Sequence, residues 1–430
     1  MNVLRKISAA CFIALVSFLC VSGTVYAADT ASQPEPTITA GPGSDVSQNL
    51  SELRFDLKSF APVVVGQDPL SLTIDAFQGL SCEWASRTPH IATVDKDGKV
   101  TAVEAGTAEI AVVVTDENGR QYTYEIPVRV VAPYFEEKSW NLAVGCQGAI
   151  EVKDCSGEPL TVSVSDSDIV AYISDEEGVI KIKAGKEKGT ATLSVIADGV
   201  SLSCKINVTN PYIKQRYGFY EKNKSFQPVL AGLNKKSKPE WMSLDTKIAS
   251  VNSKGKGRTK KLGSTMILCR VDGKTLTYYL AVGTKTAVKA MRWGYSKMGK
   301  CHYSQARRMN RRYFDCSSFV YRCYRAAGRY LVRRTSWAPV AADIGHYYVM
   351  KKKKVRPSGK TYKLSSLRPG DLVCFGGKDA SRNGRYKRIY HIALYIGNGQ
   401  TIESSSSYNN VVIRDRGIMG KRGVPVIVRP

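Results

Sequence analysis

The chain has 430 residues, 43% of them hydrophobic and 23% charged, and a formal net charge of +26. That length admits two to four domains. Its 11 cysteines are too thinly spread for a disulfide-dense scaffold, and after the first 21 residues no apolar stretch is long enough to cross a bilayer. The charge is uneven: −11 over residues 1–209, +11 over 210–283 and +26 over 284–430. A domain as basic as the last is expected to meet a polyanion or an anionic surface.

The N-terminus comes first. Arg5 and Lys6 precede the apolar run Ile7–Val21, and Val25-Tyr26-Ala27 offers a cleavage site. This is the order of a secretory signal peptide. A retained anchor is the competing reading, but the run is short for a span of ~20 residues. Cys20 is a poor lipoprotein site, because Ser17-Phe18-Leu19 before it lacks small residues. The expectation is a signal peptide at 1–27 and a secreted chain with no transmembrane segment after processing. Wall polymers or a membrane surface then rank ahead of nucleic acid as the partner of the basic half. Nine cysteines remain after Cys11 and Cys20 leave, so at least one has no intrachain partner. Residues 28–50, rich in Ser, Thr, Pro, Gly and Asp without periodicity, read as a flexible linker.

From about 51 to 283 a weak internal repeat runs three times. Its copies are His90–Val114, Asp168–Ala197 and Lys247–Val271. Each has a short β-rich run, a turn with glycine (Gly98, Gly178, Gly255), another run, a second glycine (Gly106, Gly189, Gly263), and then alternating apolar residues. Short strands at regular spacing with turn chemistry between them predict β-sandwiches. Trp84 and Trp241 precede the run by a similar distance in copies one and three, which suggests one shared core position. Expected boundaries are 51–132, 133–210 and 211–283. Cys146, Cys155 and Cys204 share the second module, as a disulfide pair plus one thiol or as core thiols.

After Gly283 the texture changes. Ala287, Ala290, Met291, Gly294 and Met298 recur at helical spacing. A second helix is expected from Asp315–Cys316 towards Ala327, with Gly328 as its stop. Strands follow at Asp371–Phe375, Ile389–Ile396, Gln400–Ser404 and Val411–Ile413. Helices first and antiparallel strands after predict an α+β domain over 284–430.

The stretch "YFDCSSFVYRC", Tyr313–Cys323, raises the question of what its two cysteines do. Asp315 is a good helix N-cap, and Ser317 and Ser318 suit a first turn. A cysteine there feels the positive end of the helix dipole and nearby N–H groups, which favours a thiolate and gives donors for an oxyanion. A buried structural thiol is the alternative at this point. Cys323 lies two turns on, about 10 Å along the axis. Bridged cysteines rarely have Cα atoms beyond about 7 Å apart, so a Cys316–Cys323 bond is not expected. No CxxC or HxxxH spacing accompanies them, so neither is a zinc ligand. Cys323 shares a face with Phe319 and Val320 and reads as a core thiol, with Cys301 as the alternative partner.

A thiol nucleophile needs a base. The four histidines are His90, His302, His346 and His391. His90, His302 and His346 read as loop residues. His391 stands in an apolar strand whose alternation places Ile389, His391, Ala393 and Tyr395 on one face. "GNG", Gly397–Gly399, suits a three-residue hairpin loop. In that register Ile396 faces Gln400, His391 faces Ser405, and Glu403 is diagonal to His391 on the same face. Glu403 then orients the imidazole as the third member of a triad does. A two-residue loop would put Glu403 on the opposite face.

"YFDCSSFVYRCYRAAG" (Tyr313–Gly328), "LRPGDLVCF" (Leu367–Phe375) and "HIALYIGNGQTIES" (His391–Ser404) resemble, in order and spacing, the three signature blocks of the NlpC/P60 cysteine peptidases. The three earlier copies resemble bacterial immunoglobulin-like domains of group 2, which implies spacer or surface modules. The first resemblance implies a papain-like α+β fold that cleaves peptidoglycan stem peptides, typically between D-γ-glutamyl and the following diamino acid, with no metal or cofactor. It implies Cys316 as nucleophile and His391 as base. Glu403 takes the orienting position, where many members carry His, Asn or Gln. Tyr303 matches the tyrosine near the oxyanion site, and Asp315 and Ser317 flank the nucleophile at substrate-binding positions. The basic clusters Lys351–Lys354 and Arg382–Arg388 are either solvated surface or attractors of anionic wall polymers and stem-peptide carboxylates. Two other readings remain beside a wall hydrolase: a catalytically weak wall-binding protein, and a papain-like wall amidase or acyltransferase.

Overall fold

Strand alternation dominates residues 63–282. In Gly189–Ala197 the residues Ala191, Leu193, Val195 and Ala197 point inward while Thr190, Thr192 and Ser194 face solvent. This period of two buries one face of a sheet. The computed structural model describes residues 50–355, 362–377, 384–415, 424 and 426–430. The leader at 1–27 and nearly all of the 28–50 segment lie outside these residues. Leu50–Glu52, a single 3-10 turn, is all that is described of the unit Met1–Glu52. Leu53–Pro430 forms the other compact unit.

Three β modules follow one another in that second unit, and each pairs a four-stranded sheet with a three-stranded one. In each, the module's last long strand lies parallel to an early one: Val63–Val64 with Val130–Val131, Ser139–Ala143 with Lys205–Thr209, and Tyr217–Tyr220 with Tyr279–Val282. In the second module both sheets feed one core, Ile150, Ile180 and Ile182 meeting Leu193, Val195 and Ile206.

The repeated glycines have repeated jobs. Gly98, Gly178 and Gly255 all sit in left-handed turns, at φ 77, 79 and 77. A Cβ on Gly98 would lie 2.9 Å from the Trp84 indole, and one on Gly255 would lie 2.8 Å from that of Trp241. In the second module Cys155 takes the tryptophan's place, with its sulfur 2.6 Å from the Cβ that Gly178 lacks. The second glycine opens the long strand against an isoleucine in all three copies: Gly106 on Ile91, Gly189 on Ile169 and Gly263 on Ile248. The weak repeat therefore has one physical basis, a turn and a strand start that leave room for one bulky side chain each.

After Gly283, among the described residues, three helices, α1 (Lys285–Tyr295), α2 (Cys316–Ala326) and α3 (Ala341–Met350), pack on a five-stranded antiparallel sheet. Its order is Asn410–Asp415, Gln400–Ser405, Ile389–Gly397, Leu372–Gly376, Val426–Val428. Helix α1 begins at Thr284, whose side chain accepts from the Ala287 N–H. α2 stops at Ala327, with Gly328 left-handed at φ 80. The helix-side core joins Ala290, Met291, Phe319, Val320 and Cys323 to Ile392, Leu394 and Ile402, and it takes in Phe219 and Ala281 from the third β module.

Three local expectations are corrected. His346 is in α3, stacked on the Tyr386 ring at 4.4 Å, and His302 is in a two-residue strand paired with Tyr313–Phe314. Neither is a loop residue. Ile389 does not share the His391 face: a bulge at Tyr390, between the pairs Phe375–His391 and Gly376–Ile389, turns Ile389 into the helix-side core. The hairpin closes on the two residues Asn398 and Gly399, with Gly397 paired to Gln400. A bulge at Ile396 then restores the pairs Tyr395–Thr401 and Leu394–Ile402. A tight turn plus one bulged residue has the same count as the expected three-residue loop, so the side chains keep the expected faces. Among the described residues no helix is long and apolar enough to cross a membrane.

Candidate active site

The N-terminus of α2 is built by a reciprocal cap. Asp315 accepts from the Ser318 N–H at 2.7 Å, while the Ser318 hydroxyl accepts from the Asp315 N–H at 3.0 Å. Such caps satisfy backbone donors that the first turn leaves orphaned. The helix therefore starts one residue after Asp315 and holds Cys316 in its first position, 6% exposed.

Beneath that cap lies a group the sequence did not single out. Arg308 Nε stands 3.2 Å from Asp315 Oδ2, and both side chains are almost fully buried. Its Nη2 donates to the Ser317 hydroxyl at 2.9 Å and to the carbonyls of Ala338 and Pro339 at 3.1 and 3.2 Å. The Ser317 hydroxyl donates in turn to Asp315 Oδ1 at 3.2 Å. Asp315 and Ser317 are thus tied to a buried guanidinium as well as to the helix.

The Glu403 strand is fastened to the same place. The Ser404 hydroxyl donates to the Phe314 carbonyl at 3.0 Å, one residue before Asp315. The register Leu394–Ile402, carried down the ladder, sets His391 against Ser405 with Glu403 diagonal. Glu403 is fully buried, and its Oε2 is 3.2 Å from His391 Nε2. That contact is an ion-pair approach off the N–H axis; Nε2 has no aligned hydrogen-bond partner among the described residues. Arg414 Nη1 approaches Glu403 Oε1 at 3.8 Å. The imidazole also packs on the Phe375 ring at 5.6 Å.

With Nε2 turned to Glu403, Nδ1 is the nitrogen left for Cys316, which is near enough to raise the pKa of the ring. Burial pushes the imidazole's pKa down, but the close approach and negative charge of Cys316 and Glu403 outweigh it, lifting His391 to about 9. Tyr303 completes the cluster. Burial raises its phenol, and the charges of Cys316 and Asp315 raise it further. Its backbone N–H donates to Asn409 Oδ1 at 2.9 Å.

Cys316, His391, Glu403, Tyr303, Asp315 and Ser317 therefore converge from four separate elements. Cys323 does not. It is fully buried among Phe319, Val320 and Met291, and burial pushes its thiol far above the ordinary value. It is unbonded to Cys301, and Cys146, Cys155 and Cys204 are likewise free thiols. His90 lies in a turn of the first module. Among the described residues no three His, Cys, Asp or Glu side chains gather closely enough to hold a metal ion. The arrangement pairs a helix-start thiol with a charged imidazole beside backbone N–H groups. Such a site can attack a carbonyl and protonate a leaving amine.

Residues 294–421 match the model of the NlpC/P60 family, and residues 66–123 match that of the bacterial Ig-like domain (group 2). No curated protein matches the chain. Similar solved structures include the peptidoglycan hydrolase RipB from Mycobacterium tuberculosis, at 21% identity over 34% of this chain and 64% of that one, with a TM-score of 0.23. A P60 domain from an antigen of M. avium subspecies paratuberculosis is 19% identical over 34% of this chain and 94% of that one, with a TM-score of 0.23. An NLP/P60-family protein similar to a lipoprotein, from Staphylococcus aureus, is 19% identical over 34% of this chain and 42% of that one, with a TM-score of 0.25.

Proposed function

With an NlpC/P60 domain over residues 294–421 and a bacterial Ig-like domain (group 2) over residues 66–123 of the same chain, we propose that this protein is a secreted cell-wall hydrolase that cuts peptidoglycan stem peptides between D-γ-glutamyl and the diamino acid. Family membership supports wall hydrolysis at the coarse level. The observation that carries the finer reading is the convergence of Cys316, His391 and Glu403, the last with its carboxylate on the far nitrogen of the ring.

The chemistry follows from that geometry. An imidazole lifted to about 9 is a base strong enough to take the Cys316 proton and hold it as the thiolate attacks. The Cys316 sulfur attacks the amide carbonyl, and the carbonyl π pair moves to oxygen. The Cys316 backbone N–H, at the helix start, and Tyr303 hold that oxyanion. His391 gives its proton to the leaving amine as the C–N bond breaks, leaving a thioester on Cys316. Neutral His391 then takes a proton from water, hydroxide adds to the thioester, and the Cys316 thiolate leaves. Glu403 keeps the ring oriented and offsets its positive charge. Asp315 and Ser317 flank the acyl-binding side, and the Arg308 contact fixes them in place. The leader-like residues 1–27 support export, and the segments 51–132, 133–210 and 211–283 serve as β modules ahead of the enzyme at 284–430.

The test is to digest purified peptidoglycan and weigh the fragments. Products ending in γ-glutamate and beginning with a diamino acid are expected. Products cut at the N-acetylmuramoyl–alanine bond would overturn the endopeptidase reading in favour of an amidase.

A further inference from the structure

The third β module and the C-terminal domain are bolted together. The Asn398 N–H donates to the Ser264 hydroxyl at 2.8 Å, and Asn398 Nδ2 donates to the Thr265 carbonyl at 3.4 Å. Arg292 forks the Phe219 carbonyl with Nε and Nη2 at 3.0 and 2.7 Å. Phe219 and Ala281 belong to the same apolar core as the helices. A groove of ≈ 740 Å³ runs along this junction, walled by both bodies. A second hollow of ≈ 350 Å³ shares Leu262 and Arg368 with it. Neither contains Cys316, His391 or Glu403.

The lining is strongly cationic. Lys222, Lys247, Lys261 and Arg368 line the larger groove and face one carboxylate, Asp245. That carboxylate accepts from the Lys247 backbone N–H at 2.9 Å. Arg329 and Lys353 extend the positive lining into the smaller hollow, where Asp371 is held by Arg429 at 2.7 Å. All of Lys222, Lys247, Lys261 and Arg368 are exposed, and among the described residues none forms an ion pair. Four cations brought together across a fixed concave junction, against one carboxylate, repel one another and attract a multivalent anion. Two hollows in series suit an extended chain rather than a single ion. The aromatic rings lining them among the described residues, Tyr324 and Tyr395, are buried. No ring is offered for a base to stack on, which argues against single-stranded nucleic acid.

We propose that this junction groove is an exosite for a linear anionic wall polymer, one with repeating phosphate or carboxylate groups on a sugar or polyol backbone. The polymer's identity as a wall component rests on the proposed function, whereas the groove does not. Binding there holds the enzyme on the wall through a surface that only the third module and the catalytic domain together supply.

The test uses the full chain and reads binding alone, so it stands whether or not the Cys316 site is active. End-labelled poly(glycerol phosphate), polygalacturonate and a single-stranded oligonucleotide of matched charge are titrated by fluorescence anisotropy at low and high salt. The triple variant Lys222→Glu, Lys247→Glu, Lys261→Glu is expected to lose at least about tenfold in affinity and to flatten the salt dependence. A control reversal on the second module, Lys183→Glu, Lys186→Glu, Lys205→Glu, is expected to change it by less than about threefold. Binding of either sugar or polyol polymer, lost in the first variant, supports the proposal, and the tighter of the two identifies the anionic group. Equal losses in both variants, no binding to either polymer, or an oligonucleotide bound as tightly through the same lysines would overturn it.

Discussion

Glu403 Oε2 lies 3.2 Å from His391 Nε2, with the carboxylate fully buried and the imidazole lifted to about 9. A buried carboxylate is tolerated only beside positive charge, and His391 and Arg414 supply it from the two sides of Glu403.

The pH dependence follows from that contact. The folded pKa of His391 lies above its ordinary 6.5. The proton therefore stabilises the folded site fully below about 6.5, and that contribution is lost as the pH rises through about 9. Activity is expected to fall on the alkaline side with an apparent pKa near 9. Glu403→Gln removes the negative charge that holds the proton on the ring. It should move the alkaline limb to lower pH and reduce kcat about a hundredfold or more, with KM little changed. A pH profile of kcat/KM on a soluble stem peptide checks this; an unmoved limb in the variant would show that Glu403 does not govern the imidazole.

Arg308→Met should destabilise the fold by about 3 kcal/mol, because it leaves the Asp315 carboxylate buried without its partner. Urea unfolding measures the loss. The double variant Arg308→Met, Asp315→Asn should recover part of it, since no uncompensated charge then remains. Additive losses would mean that the two groups do not interact.

Cys323 gives the contrast with Cys316. Cys323→Ala is expected to cost about 1 kcal/mol of stability, from lost packing against Phe319 and Gly294, and to leave kcat unchanged. Thermal melting and a rate assay on the same sample separate the two effects.

Gly397 tests the docking of the third module on the catalytic hairpin. It is left-handed at φ 100, and a Cβ there would fall 2.4 Å from the Ser264 Cβ. Gly397→Ala should cost at least about 2 kcal/mol and lower kcat, because the displaced turn carries the strands of His391 and Glu403. Adding Ser264→Gly removes the clash but not the backbone strain, so it should restore part of the stability. No loss in the single variant would show that the hairpin adjusts freely against the module.

What the sequence revealed was mostly local. The Asp315 cap, the α2 start and the Gly328 stop are written in adjacent residues, and the paired glycines mark turns in all three copies. The His391–Glu403 diagonal was readable because strand faces depend only on residue count, and a two-residue turn with one bulge has the same count as a three-residue loop. The face of Ile389 was not readable, since the bulge at Tyr390 shows only in how this strand pairs with Phe375 and Gly376. Arg308 was hidden among neighbouring arginines of "ARRMNRR", and only the fold shows that this one is buried on Asp315. The third module looked like a spacer because its contacts with α1 and the hairpin join residues far apart in sequence.

The central claim is that Cys316, charged by His391, cuts the stem peptide. Its most direct measurement is the rate of fragment release from purified peptidoglycan by wild type, Cys316→Ala and His391→Ala, each confirmed as folded. The account predicts the γ-glutamyl–diamino acid cut from wild type and at least about a thousandfold slower release from either variant. Release of the same fragments at a similar rate by Cys316→Ala would contradict it.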